Sequence, residues 1–197
     1  MYSHEDEQRL KELHTTLYVV HGLGGVLDFH KIFKALYFAD KNHLAKYGES
    51  ILGDKYICMD FGPVPSTLYD RFKSLHGRKH MSDMELWKDN FQAVPPHCIK
   101  ATGLVNKDFL SESEINCLNE AIGDCKQLSF DQLVEKSHDA AWNNTAGNYP
   151  MDPNAIAQAG GANEDMLKYI ELVEENRSTV ISAPIPDSYE PRGRVSS

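Results

Sequence analysis

Leu10, Leu13, Leu17 and Val20 recur three or four positions apart and predict an amphipathic first helix. Ser3 is placed to cap it, with Glu5 and Asp6 complementing the positive end of the helix dipole, and Gly22, Gly24 and Gly25 break it. Asp28 opens a second helix that carries Phe29, Ile32, Phe33, Leu36, Tyr37 and Leu44 on one broad face and stops at Gly48. Residues 55–60, "KYICMD", alternate enough for a short strand, and 96–105, "PHCIKATGLV", supply its expected antiparallel partner. Between them Pro65 stands where a first helical residue would, with Leu68, Tyr69 and Phe72 following at helical spacing, and "SDMELWKDNF" adds a turn or two.

Later boundaries are written in local chemistry. Ser111 with Glu114 and Ser129 with Gln132 each form a capping-box pair, predicting helices through about Asp124 and about Lys136. Asp152-Pro153 starts a short helix that ends at Gly160-Gly161, and Asn163 caps a last one through Met166, Leu167, Ile170 and Val173. The expected fold class is mainly α (α+β), a compact helical domain over 1–180 with a small antiparallel β-hairpin packed on helices. Residues 181–197, rich in proline and poor in apolar side chains, are expected to be a flexible tail.

Charge narrows the function classes. Lys+Arg 20 against Asp+Glu 29 gives a formal net charge of -9, and an acidic surface repels phosphate backbones, so autonomous nucleic-acid binding is not expected. The same charge steers the chain toward basic partners. Cys58, Cys98, Cys117 and Cys125 form no Cys-x-x-Cys pair and sit among apolar residues, as reduced, buried cysteines do. The charged first residues and the absence of any run of about 18 apolar residues argue against a signal peptide or a membrane span, so a cytoplasmic location is expected.

Candidate chemistry is sparse. Asp40 and His43 share a helix face and, with Asp54, offer three metal-ligating groups; the alternative is that Asp40 bonds the amides of the loop beginning at Gly48 while Asp54 fixes a turn. The second use suits aspartate better, because no His-x-x-x-His or Glu-x-x-His element accompanies the three. His138 and Asp139 are adjacent, so on a helix they diverge by about 100° and make a poor base and orienter; a helix-terminal histidine capping carbonyls beside a packed Trp142 fits better. No Gly-x-Ser-x-Gly elbow surrounds Ser66 or Ser74, and "GLGG" at 22–25 follows a helix rather than a strand and lacks the phosphate-binding pattern. Neither catalytic residues, nor a cofactor, nor a metal are expected, and a binding protein is favoured over an enzyme.

The stretch 31–73, "KIFKALYFADKNHLAKYGESILGDKYICMDFGPVPSTLYDRFK", closely resembles the signature of the Panacea domain of SocA-like antitoxins, which act in type II toxin–antitoxin systems and have phage-associated relatives. The match in order includes Leu36, Tyr37, Phe38, Asp40, His43, Tyr47, Gly48, Gly53, Asp54, Tyr56, Gly62, Pro63, Val64, Pro65 and Tyr69, and the segments around His138 and Trp142 also look like the family, so the resemblance runs from about 10 to about 175. It implies an antitoxin that neutralises a cognate toxin, encoded by the adjacent gene, through direct protein–protein contact. A proteolytic adaptor delivering a partner to a protease, or a phage-encoded inhibitor of a host protein, are the alternatives. The motif residues are expected to build a rigid platform, with specificity carried by 76–97, by the 143–151 loop or by the tail. Trp87, Tyr149 and Tyr189 are the expected partner-binding anchors.

Overall fold

A computed structural model describes residues 3–182, and side chains through 175 apart from that of His4. Tyr189 and the expected 183–197 part of the tail lie outside the described residues. The helices are α1 (His4–Leu23), α2 (Phe29–Tyr47), α3 (Ser66–Leu75), α4 (Glu85–Asn90), α5 (Glu112–Gln127), α6 (Phe130–Ser137), α7 (Ala140–Asn143), α8 (Pro153–Ala159) and α9 (Glu164–Ser182). The strands are β1 (Leu27–Asp28), β2 (Tyr56–Met59), β3 (Gly62–Pro65), β4 (Phe91–Val94) and β5 (Cys98–Ala101). The fold is mainly α with a small β component.

Helix α2 is the axis of the molecule. It touches α1, α5, α6, α8, α9, β1 and β3, and from Ile32 to Asp40 every side chain is buried. A helix enclosed all round must be apolar all round, and "IFKALYFA" meets that demand except at Lys34. Its start is set by the Asp28 carboxylate, which accepts from the His30 amide at 2.8 Å. Its end is set by Gly48 in the left-handed conformation (φ 76°, ψ 8°), whose amide donates to the Leu44 carbonyl. The capping boxes at Ser111/Glu114 and Ser129/Gln132 both form, and a third joins Ser3 to Asp6. Pro65 is the residue before α3 rather than its first, because it also closes the β2–β3 ladder opposite Tyr56.

The expected pairing of 55–60 with 96–105 is wrong. β2 turns back on β3 within four residues, with Met59 opposite Gly62 and Ile57 opposite Val64. β5 is instead the centre of a separate antiparallel sheet of order β1-β5-β4. The positive φ of Gly62 (92°) makes the tight reversal possible. A third segment lines the other side of β2: Cys58 N donates to Tyr149 O (3.0 Å), Asn148 N to Cys58 O (2.7 Å) and Met151 N to Tyr56 O (2.8 Å).

Those bonds explain the Gly-Pro-Val-Pro stretch. Because Tyr56 and Cys58 face 148–151, Ile57 faces Val64, and the alternation of an antiparallel ladder turns Pro63 and Pro65 to the outer edge of β3. Proline has no N–H, so that edge presents no donor at either position. Gly62 is enclosed as well: a β-carbon there would run into Ser137 Oγ and lie 2.7 Å from Lys34 Nζ. Gly62→Ala is therefore expected to lower stability by about 2–3 kcal/mol, from steric overlap and an unfavourable φ together. Urea unfolding with an unchanged m-value checks this, and a loss below about 0.5 kcal/mol would contradict it.

Candidate functional site

The buried polar residues of the 36–69 stretch gather at three nodes. At the first, Asp40 Oδ1 accepts from Ser50 Oγ (3.0 Å), Ile51 N (2.5 Å) and Leu52 N (3.2 Å), and Oδ2 accepts from the Tyr56 hydroxyl (2.6 Å). Burial pushes the Asp40 carboxyl pKa up against these four donors, and burial with the neighbouring carboxylate pushes the Tyr56 phenol well up. His43 hangs one turn on. Its Nδ1 donates to Glu49 O (2.7 Å), which leaves Nε2 to accept from Ser113 Oγ (3.1 Å), and Tyr47 lies beside its ring, half exposed.

Asp54 belongs to a second node. After Gly53, at φ 70°, its carboxylate accepts from Lys55 N (2.7 Å), Ser66 Oγ (3.3 Å) and Leu68 N (2.9 Å), capping α3 from a distance. Asp40, His43 and Asp54 thus serve separate tasks, each bonded to its own stretch of backbone. Among the described residues no group of three His, Cys, Asp or Glu side chains is arranged to hold a metal ion.

The third node is Asp139, which the sequence reading treated only as a neighbour of His138. Its carboxylate accepts from the Tyr37 hydroxyl (2.9 Å), Lys41 Nζ (2.8 Å) and the amides of Ala141 and Trp142 at the start of α7. Burial and Asp139 together raise the Tyr37 pKa. Trp142 Nε1 donates to Met59 O (2.9 Å), and the His138 ring stacks on Trp142 at 3.6 Å while hydrogen-bonding the backbone of Asp60 on the β2–β3 turn. Lys34 completes the frame: fully buried, it donates to Pro63 O (3.0 Å), and burial pulls its pKa down to about 7. A lysine between Phe33 and Ala35 in an otherwise apolar run was the signal that marked it.

The surface differs from expectation. Trp87, expected as an exposed anchor, is 1% exposed: it stacks on Phe91 (5.3 Å) and the Arg71 guanidinium lies 5.1 Å from its ring. Arg71 is itself buried and bonds Glu12 and Asp83. Met84, Trp87 and Phe91 fall at i, i+3 and i+7, a core-facing stripe that the charges between them obscure. Tyr149, 65% exposed, does project from a loop whose backbone is fixed to β2. The basic run at 76–80 is partly tied down, His76 to Cys98 O and Arg78 to Pro96 O and His97.

Sequence reasoning missed a cleft of about 480 Å³ beside the β2–β3 turn, lined among others by His30, Val64, Tyr69, Phe61 and Phe130. Phe61, at the turn tip, is 61% exposed and Phe130, at the start of α6, is 48% exposed; their rings meet edge to face at 5.6 Å. His30 packs on Phe130 at 4.1 Å, with Nε2 3.3 Å from Phe61 O, and burial lowers its pKa to about 4. A phenylalanine at a hairpin turn has no local task there, and that was the readable clue.

The sequence model of the family described as Antitoxin SocA-like, Panacea domain, matches residues 32–143. The chain belongs to this family. The matched span runs from α2 through α7, so this Panacea domain holds all three polar nodes and both phenylalanines within the family region, while α1, α8 and α9 flank it. No curated protein and no solved structure matches the chain. Among the described residues no helix is long and apolar enough to cross a membrane.

Proposed function

We propose that this Panacea-domain chain is the antitoxin of a type II toxin–antitoxin pair, neutralising a toxin encoded by the adjacent gene through a direct protein–protein complex and performing no chemistry of its own. The observation that carries this reading is the family match over 32–143. Its interior agrees: Asp40, His43, Asp54 and Asp139 are each bonded to backbone or buried side chains of the chain itself. Groups so engaged position elements of the fold, which supports a binding role for the domain. The formal charge of -9 favours encounter with a basic partner.

The test is growth of cells expressing the neighbouring open reading frame, with and without this chain. Arrest relieved by co-expression, with the toxin recovered intact in a stoichiometric complex, is the expected result. Arrest that persists, or a neighbour without effect, overturns it. Relief accompanied by disappearance of the toxin, restored when cellular proteases are inhibited, would assign the chain an adaptor role instead.

A further inference from the structure

Two phenylalanines held together at the surface leave apolar area in water that burial would stabilise, and contiguous apolar patches on soluble proteins commonly mark interaction sites. Phe61 and Phe130 are such a pair, contributed by elements far apart in sequence, and the ground beneath them is rigid. The Phe61 carbonyl faces His30 Nε2, the Pro63 carbonyl is held by Lys34, and Gly62 is boxed in by Ser137 and Lys34. A pocket pre-organised in this way loses little conformational freedom when filled.

Charge and backbone define what fills it. Asp28 and Asp60 line the cleft and are exposed, and Asp131 is exposed beside Phe130. Three of the cations nearby are committed: Lys34 is buried under the floor, Lys73 pairs with Asp70 (2.6 Å), and Arg78 is bonded to His97 and Pro96. The rim therefore attracts positive charge around an aromatic centre. An added strand is excluded as the occupant, because the outer edge of β3 is blocked by Pro63 and Pro65 and the outer edge of β2 is filled by 148–151. Side chains must make the contact, and a helix that sets apolar residues on one face and lysine or arginine at its borders matches both the centre and the rim.

We propose that the cleft between Phe61 and Phe130 is the docking site for a cationic amphipathic helix of the partner, the toxin if the antitoxin reading holds. Phe61 and Phe130 are its anchors and Asp28 and Asp60 its rim charges.

Two measurements test this and fail separately. The first needs no toxin. An amphipathic peptide of about eighteen residues, built from leucine and lysine at helical spacing, is titrated calorimetrically into the full chain beside a leucine–glutamate peptide of the same pattern. The lysine peptide is expected to bind, about ten-fold more weakly to Phe61→Ser and to Phe130→Ser, and more weakly still with added salt. The glutamate peptide is expected not to bind. Phe61 is 61% exposed and Phe130 48%, so both variants should fold with urea midpoints close to that of wild type, the Phe130 variant falling somewhat lower for its lost contact with His30, and Phe61→Leu should keep most of the affinity. Equal binding to wild type and both serine variants, or preference for the acidic peptide, overturns the proposal.

The second measurement is relief of toxin arrest. Loss of relief in the Phe61→Ser, Phe130→Ser double variant, with Tyr149→Ala unaffected, is expected. Relief by wild type and double variant alike removes the cleft and leaves the antitoxin reading standing. Failure of the wild type to relieve arrest, with peptide binding still dependent on Phe61, does the reverse. Relief lost in Tyr149→Ala alone places the partner on the 143–151 loop and also overturns the proposal.

Discussion

Asp40→Ala is expected to cost on the order of 4–5 kcal/mol, enough to unfold much of the population of a domain of ordinary stability. The substitution strips the acceptor from four donors at once, and the two amides among them belong to the buried residues Ile51 and Leu52. Each unsatisfied buried donor costs about 1–3 kcal/mol, and the losses do not add fully because the loop relaxes. Asp40→Asn separates architecture from chemistry. Its side-chain oxygen can still receive the amides of 51 and 52, and its NH2 group can donate to Tyr56, whose hydroxyl accepts as readily as it donates. The asparagine variant is therefore expected to lose only about 1–2 kcal/mol and to keep its partner binding. Urea denaturation of both variants decides the matter: an alanine variant as stable as wild type would remove Asp40 from the framework.

Lys34→Met is expected to act in the opposite direction, and to do so as a function of pH. The folded pKa of Lys34 lies near 7 and that of an unfolded lysine near 10.5, so between these values the unfolded chain binds the proton and the folded chain does not. Stability then rises with pH across that window, by up to about 1.4 kcal/mol per pH unit. Below pH 7 both states carry the proton and the cost of burying the charge is constant and fully present. Methionine has nearly the same shape and no charge, but it leaves the Pro63 carbonyl without its donor, which offsets part of the gain. A net stabilisation of about 2–3 kcal/mol at pH 7, shrinking toward zero by about pH 9, is expected. Cys125, whose pKa burial raises to about 11, is coupled to Lys34 and contributes to the pH dependence above pH 9, so the two proteins are compared between pH 7 and pH 9, where the thiol stays protonated in the folded chain. A difference independent of pH would mean that Lys34 is charged in the folded protein.

The features legible in the sequence are those whose cause lies within a few residues. Asp28 and Gly48 bound α2 because a cap needs only its own turn, and Ser111/Glu114 and Ser129/Gln132 act over three residues. Strand pairing was misread because four residues of alternation cannot say which partner they face: β2 had a partner two residues away and a second about ninety residues on. Trp87 was misplaced because Glu85, Lys88 and Asp89 made its helix look polar, whereas its own face is closed by Phe91 and Arg71. The motif residues could be assigned to architecture from turn and cap chemistry. Asp139 could not, since its partners Tyr37 and Lys41 lie about a hundred positions earlier. The Phe61–Phe130 cleft was hidden for the same reason, being made by two segments that only the finished fold brings together.

The bond from Tyr37 to Asp139 spans 102 residues, and the bonds from β2 to 148–151 span nearly as many. On the ribosome, where the chain lengthens by about 5–20 residues each second, the 36–69 stretch leaves the exit tunnel several seconds before the segments that complete it. During that interval the nascent polypeptide holds a hydrophobic helix without its full enclosure and a hairpin without its third strand. A prematurely terminated product ending before residue 150 lacks the third segment beside β2, so the framework closes only when that segment has emerged.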